Sequence, residues 1–286
     1  MPTTTERIDH VVIHVEQQID QAADQYTRLG FTLTPRGHHS KGTSNHLAIF
    51  GDDYLELLGV EAHNADKPGV KWEHPHGLAG LVFKTKDADQ TWAALSARAI
   101  ALEGSGPGAF HRPVEVDGKL LGDARFRTLR IAADQVPNGR VFFCEHGTPE
   151  LVWRSQWQTH ANGAIGLAEY VYVTPDPQAS AALLTRAFGA AALSQHAHGI
   201  RFQAGPVAVW YLTSAGVAAH YGIDASLVPR YIEQGIERAI GLTVNVASRD
   251  GARKVLDEND VPVLTGADSK VVVAPEHAQG VIFAFT

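Results

Sequence analysis

A single cysteine, Cys144, stands among 286 residues. That excludes an internal disulfide and any Cys-rich zinc site. No stretch reaches the roughly 18 continuous apolar residues of a membrane span, so no membrane partner is expected. The opening MPTTTERIDH lacks the apolar core of a signal peptide, and a cytoplasmic protein is expected from that. Basic runs are missing too. With 24 Lys+Arg against 31 Asp+Glu the formal net charge is −7, which argues against nucleic acid as a partner. Hydrophobic residues at 44% and charged residues at 19% exclude a disordered or collagen-like chain. The length exceeds one domain of about 100–150 residues and suits two.

Histidine is what the chain has in excess, 15 in all, of which 11 lie in residues 1–160. Imidazole chemistry is therefore expected in the first half. Taken singly, most of these histidines read as surface or loop residues. His38, His39 and His63, set among Gly, Ser, Asn and Asp, are expected on solvent-facing loops without a functional role.

The order strand–helix–strand–strand–strand recurs. RIDHVVIHV (7–15) is short and β-branched, and reads as a strand. Residues 17–29 carry Ile19, Ala22, Ala23, Tyr26 and Leu29 at helical spacing, with Gly30 as C-cap. FTLTP (31–35) is a second strand; NHLAIF (45–50) and YLELLGV (54–60) form a hairpin around GDD. The second copy has strand 78–85, helix 87–101, and a hairpin of 126–133 and 140–146 joined across VPNG. The third begins at 165–173 with helix 177–189, and the fourth at 240–248 with helix 249–260. Four copies spaced by about 70 residues make a repeat. The fold class is α+β: four tandem βαβββ modules, helices on one face of curved mixed sheets, in two open-barrel domains. The boundaries read as 4–147, a polar linker 148–162, and 163–286. Trp153 and Trp157 in the linker read as packing anchors between the halves, and Cys144 as a small core residue.

This module plan resembles the vicinal oxygen chelate superfamily: glyoxalase I, bleomycin-resistance proteins, methylmalonyl-CoA epimerase and extradiol dioxygenases. The opening IDHVVIHV and the segment GTSNHLAIFGDDYLELLGV (42–60) look like its glyoxalase-like branch, and the resemblance covers essentially the whole chain. It implies a cup built from two modules, with a divalent metal on the floor held by His and Glu from first and last strands. On that pattern His10 and Glu56 match in module one. Glu145, in FFCEH, aligns with Glu56, while Gly80 stands where His10 would be. The matching positions are Ala168 and Trp210 in module three, and Gly241 and Ala284 in module four. The resemblance therefore places activity in the N-terminal cup and gives the C-terminal half an apolar, filled or lidding role.

Strand parity adds to this. His10, Val12 and His14 share a face. Asp9, Val11, Ile13 and Val15 share the other, mostly apolar, face beneath the helix. A Gly51-Asp52 loop pairs Leu47 with Glu56 and puts Asn45 and Tyr54 on the Glu56 face as substrate contacts. A two-residue Asn138-Gly139 turn pairs Glu145 with Ala132, which brings Arg130 to the Glu145 face, ready to hold a carboxylate or other oxyanion. Arg127 and His146 then lie opposite. His10, Glu56 and Glu145 are the expected metal ligands, with Glu56 and Glu145 as proton-shuttling carboxylates. His14 and His76 are candidates for the missing fourth ligand. Such a donor set suits Zn, Mn, Fe, Ni, Co or Mg.

Three functions stay open. The first is a metal-dependent lyase or isomerase of a small oxygenated substrate. The second is a metal-free binding or resistance protein. The third is an extradiol-type dioxygenase, which needs two His and one carboxylate in the second domain. A small molecule is the expected partner, and a homodimer stays open. If Glu145 faced outward, two ligands alone would make a catalytic metal improbable and favour the binding protein.

Overall fold

A computed structural model describes residues 7–66, 74, 76–228 and 236–286. The expected domain start at residue 4 lies outside them. In chain order the first half comprises β1 (Ile8–His14), α1 (Ile19–Arg28), β2 (Gly37–His38), β3 (Ser44–Ile49), β4 (Tyr54–Gly59), β5 (Gly77–Lys84), α2 (Ala88–Ser96), β6 (Gly108–Val116), β7 (Lys119–Arg130) and β8 (Arg140–His146). The second half comprises β9 (Ala164–Val173), α3 (Pro177–Phe188), β10 (Leu193–His196), β11 (Gly199–Ala204), β12 (Val207–Leu212), α4 (Ser214–Tyr221), β13 (Arg238–Val246), α5 (Arg249–Glu258), β14 (Leu264–Thr265), β15 (Val271–Val273) and β16 (Ile282–Phe285).

Each half forms one eight-stranded mixed sheet, ordered β2-β3-β4-β1-β5-β8-β7-β6 and β10-β11-β12-β9-β13-β16-β15-β14. The central pair, β1 with β5 or β9 with β13, is antiparallel and joins two modules. The fold is thus mixed α+β with two curved sheets, the class expected from the four-module repeat. FTLTP (31–35) forms no strand; the short β2 follows it instead.

β1 is buried along its whole length because both faces of its sheet are covered. Val11 and Ile13 enter a large core on the helix side, and Val12 enters a separate cluster inside the cup. Helix α1 buries Ile19, Ala22 and Tyr26 on one stripe. It ends where Gly30 adopts φ +88°, a left-handed conformation that favours glycine. The helix-side core is continuous between the halves: Phe31 packs on Phe283 and Phe285, and Phe83 on Phe188.

Residues 148–162 do not run as a loose tether. Gln158 Nε2 donates to the Phe50 carbonyl at 2.6 Å, and the His160 ring bridges Ile49 O and Thr32 N. Trp157 and Val152 join the cup-side cluster of the first half, and Trp153 packs on Tyr54 and His146. The two tryptophans therefore close one end of the first cup rather than pinning the halves together.

One buried carboxyl does join the halves. Asp53 Oδ1 accepts the Leu167 N–H at 3.1 Å, and burial raises its pKa from 3.8 to about 7, opposed by that hydrogen bond. A raised acid stabilises the fold fully below its unfolded pKa and loses that contribution as pH rises through the folded value. Asp53→Asn keeps the acceptor and removes the titration. Its stability relative to wild type should rise between pH 4 and 8, by at most about 4 kcal/mol. Denaturant unfolding of both proteins at pH 5 and pH 8 measures this; an unchanged difference would show that Asp53 is not desolvated.

Candidate active site

The first cup encloses a cavity of about 770 Å³, mouth included. His10 stands on its floor from β1, and Asn45, Tyr54 and Glu56 from β3 and β4. Strands β6, β7 and β8 add Phe110, Arg112, Phe126, Arg130, Phe142 and Cys144. The loop after β2 adds His39, Lys41 and Thr43. The second cup is built differently. Its outer strands β14 and β15 have two and three residues, and α4 lies in the bowl with Val217 and Tyr221 fully buried.

A polar chain crosses the floor of the first cup. Pairing between β1 and β5 skips Asp9, so this residue sits in a β-bulge just before His10. A bulge re-aims its side chain. Asp9 therefore lies not beneath the helix, as simple alternation implies, but beside His10. Its Oδ2 accepts from His10 Nδ1 at 2.7 Å and His146 Nε2 at 2.9 Å, and its Oδ1 from Lys84 Nζ at 3.0 Å. Burial alone would raise the Asp9 carboxyl. The His146 charge and the hydrogen bonds from His10 and His146 outweigh burial and hold it well below the usual carboxylate range.

With Nδ1 committed to Asp9, His10 turns Nε2 toward Glu56 Oε2, 3.7 Å away. Its ring is stacked on Tyr54 at 4.4 Å and met edge-on by Phe142 at 5.7 Å. Asn45 Nδ2 donates to Glu56 Oε1 at 2.6 Å. The same amide approaches His39 Nε2 at 3.2 Å, and His39 Nδ1 lies 2.7 Å from Thr43 Oγ1. Burial pushes the His39 imidazole down to about 4 despite the Glu56 charge, so the ring is neutral at pH 7. His38 and His63 are exposed as expected, but His39 turns inward.

The structure brings His10 and Glu56 together, with Asn45, Tyr54 and Arg130 on the same cavity wall. Glu145 does not converge with them. Strand β8 sends Val141, Phe143 and Glu145 to the helix side, and Phe142, Cys144 and His146 to the cup. Glu145 Oε2 accepts the Ala88 N–H at 2.8 Å, at the start of α2, and lies 3.5 Å from Arg127. It serves the unpaired N–H groups of a helix N-terminus. Arg130 reaches the cup for a related reason. The connection to β8 contains a 3-10 turn, Ala133–Gln135, and Glu145 pairs with Arg127, not Ala132. That is a slip by an odd number of residues, which exchanges faces. His14 and His76 also lie outside the cavity; His14 Nδ1 bonds the His74 carbonyl.

A family model described as "Glyoxalase-like domain" matches residues 8–188. The chain belongs to the glyoxalase-like domain family. Three solved structures share its fold. A hypothetical protein from Staphylococcus aureus is 15% identical with a TM-score of 0.66, and 98% of each chain is covered. A mutant 4-hydroxymandelate synthase from Streptomyces coelicolor is 13% identical with a TM-score of 0.60, covering 100% of this chain and 92% of that one. A fusion of a xylose isomerase-like TIM barrel with 4-hydroxyphenylpyruvate dioxygenase is 13% identical with a TM-score of 0.58; the match covers 99% of this chain and 49% of the fusion. No curated protein matches the sequence.

Strand register fixes which residues correspond to His10 and Glu56, the positions at which the resemblance placed ligands. His10 pairs with Val82 and Gly80 with Val12, so Gly80 is the counterpart of His10. Glu56 lies beside Val12, and the residue beside Val82 is Phe142. The counterpart of Glu56 is thus Phe142, three residues before Glu145. Gly80 has no room for a ligand, since a Cβ there would lie 2.6 Å from Val12 Cβ. In the second half Glu169, not Ala168, takes the place of His10, because Ala168 is skipped in the pairing as Asp9 is in β1. Glu169 binds His220, Thr243 and Lys270, all within about 3.1 Å. Trp210 and Ala284 occupy the places beside Val171 and Thr243, as expected.

The floor of this glyoxalase-like cup thus offers His10 and Glu56 opposite Gly80 and Phe142. A catalytic metal commonly has three protein ligands, and the family positions supply two. The donor set does not fit a metal of the family type. Among the described residues, the set of three donors within 4.8 Å of one another that could gather round an ion is Asp9, Cys144 and His146. It adjoins the floor, and nothing in it specifies which metal. No described helix is long and apolar enough to cross a membrane.

Strand β6 on the cavity wall and Asp9 behind His10 were not expected at the site, although each left a trace in the sequence. Strand β6 faces Phe110, Arg112, Val114 and Val116 inward, and Ala109, His111, Pro113 and Glu115 outward. That is period-two alternation with an arginine on the apolar face. The turn to β7 is Asp117-Gly118, both at positive φ, a hairpin signal of the Asp-Gly kind. Asp9, before His10, was readable only as half of an Asp-His pair.

Proposed function

We propose that the first cup is the active site of a lyase or isomerase that moves a proton on a small oxygenated substrate. The observation that carries this reading is the pairing of His10 Nε2 with Glu56 Oε2 at 3.7 Å, each side chain held from behind by its own partner. Asp9 holds the His10 Nδ1–H and stabilises the imidazolium that forms when Nε2 takes a proton. Asn45 fixes one Glu56 oxygen and leaves the other facing the cavity. Two such groups can divide the labour of enolisation: one takes the proton from carbon next to a carbonyl, the other protonates oxygen or returns the proton at a neighbouring atom. Their burial excludes water and strengthens both charges' effect on the substrate.

A second reading, capture of a ligand without turnover, draws support from Gly80 and Phe142 at two ligand positions and from the outward Glu145, the outcome expected from the sequence to favour a binding protein. Extradiol chemistry draws less, since Glu169 is alone as a donor among the four corresponding positions of the second half and is already bound to Lys270. Nuclear magnetic resonance of small 2-hydroxy and 2-oxo carbonyl compounds, mixed with wild type and with His10→Asn, tests the enzyme reading. Consumption by wild type, lowered about 100-fold or more in the variant, is expected. Binding without consumption of any compound would replace this reading by capture.

A further inference from the structure

Arg112 is the anomaly of the cavity. It is 3% exposed, in the middle of β6, among Phe110, Phe126 and Val114 of the cup-side cluster. Its Nε and Nη2 are buried and have no hydrogen-bond partner. The nearest acid in electrostatic reach is Glu56, which is taken by Asn45 and faces His10. A buried guanidinium without a carboxylate or carbonyl to accept from it is destabilising. The fold nevertheless makes room for it: a Cβ on Gly37 would stand 2.5 Å from Arg112 Cδ and 2.4 Å from Asn45 Oδ1, which also lacks a partner. A space kept for an unpaired cation inside a cavity is what an anion site looks like before its anion arrives.

The rest of the wall gives the shape of the molecule. Lys41 lies within electrostatic reach of Arg130 and Arg140 and sits over the Phe110 ring at 5.3 Å. The three place positive side chains along the cavity wall, Arg130 lying 3.9 Å from Glu103, although the whole chain carries a net charge of −7. Between mouth and floor the wall is apolar and largely aromatic, with Phe110 stacked on Phe126 at 5.0 Å.

We propose that Arg112 is the specificity-determining residue of the cup, and that the substrate is a small carboxylate with a flat apolar body. The carboxylate pairs with the Arg112 guanidinium. The apolar body lies against Phe110, Phe126 and Phe142, which puts the carbons between that body and the carboxylate within reach of His10 and Glu56. The positive charge of Lys41 on the wall favours entry of an anion. This rests on reading the cup as a substrate site and adds the class of molecule it takes.

Calorimetric titration with phenylacetate, phenylacetamide and acetate tests it on the intact protein. Phenylacetate should bind about 10–100-fold more tightly than its neutral amide. Acetate, lacking the apolar body, should bind more weakly than phenylacetate. Arg112→Met should abolish the preference for the acid, and Arg112→Lys should keep part of it. The Tm of ligand-free Arg112→Met should equal or exceed that of wild type, because the substitution removes an unpaired buried charge. Equal binding of acid and amide overturns the proposal. So does binding of neither at about millimolar concentration, and so does a lowered Tm in Arg112→Met, which would make the arginine structural. The outcome is separable from that of the enzyme reading. Selective binding without turnover leaves the ligand class standing and removes the acid–base chemistry; turnover of neutral compounds alone does the reverse.

Discussion

Glu56→Gln is expected to lower turnover by about 10²–10⁴-fold while the protein stays folded. The amide keeps the volume of the carboxyl and its contact with Asn45, which is buried with it. What it loses is the ability to take a proton opposite His10. The substitution leaves no new cavity, so the thermal midpoint should change little. Steady-state kinetics read beside thermal unfolding separate the two effects. A fall in activity matched by a fall in folded fraction would mean that Glu56 is structural. Unchanged turnover would remove it from the chemistry.

The second large effect falls on Asp9. It is fully buried and receives His10, His146 and Lys84 at once. Asp9→Ala removes the buried carboxylate that accepts from all three and should cost about 3–5 kcal/mol of stability. It should also lower turnover, since His10 would lose the partner that sets its tautomer and orientation. The pH signature has a definite sign. A carboxyl held below its unfolded value stabilises the fold above that value, and the contribution fades as pH falls further. Wild type should therefore lose stability on acidification below about pH 4, the unfolded range of Asp, and Asp9→Asn should show a shallower loss there. Denaturant unfolding between pH 3 and 7 measures both. A variant as stable as wild type and with the same acid limb would show that the three contacts contribute nothing net.

The sequence made the module plan legible because each module repeats a short β-branched strand followed by an amphipathic helix. Strand β8, RVFFCEH, was read with its bounds intact. What failed was register. Parity along a strand is readable, yet the face it presents depends on how the connection closes and on bulges within the strand, and both misled. The Asn138-Gly139 pair looked like a two-residue turn, but a 3-10 turn precedes it and moves Arg127 opposite Glu145. Bulges at Asp9 and Ala168 shifted the count by one residue at the floor of each cup. His10, Glu56, Asn45 and Tyr54 were placed well because they come from β1 and a tight hairpin whose Leu47–Glu56 pairing is regular. Glu145 was misplaced because its likeness to Glu56 is one of local sequence, Glu in an apolar strand end, and not of position in the sheet.

The second cup is filled where the first is open. Gly241 corresponds to Gly80, and a Cβ there would lie 2.3 Å from the Tyr221 hydroxyl. Helix α4 thus uses the space above the floor for packing, and Glu169 is tied into a contact set with His220 and Lys270. The first cup keeps its space open, and its floor pair faces that space.

The measurement that bears most directly on this account is exchange of carbon-bound hydrogen with solvent. Phenylpyruvate and related 2-oxo and 2-hydroxy acids would be incubated with the protein in D₂O and followed by proton resonance. The account predicts that wild type accelerates deuterium incorporation next to the carbonyl for at least one of them, even where no net product forms, and that Glu56→Gln and His10→Asn each lose about 100-fold or more of that rate. Exchange that is equally fast in both variants, or absent for every acid that binds the cup, would contradict it.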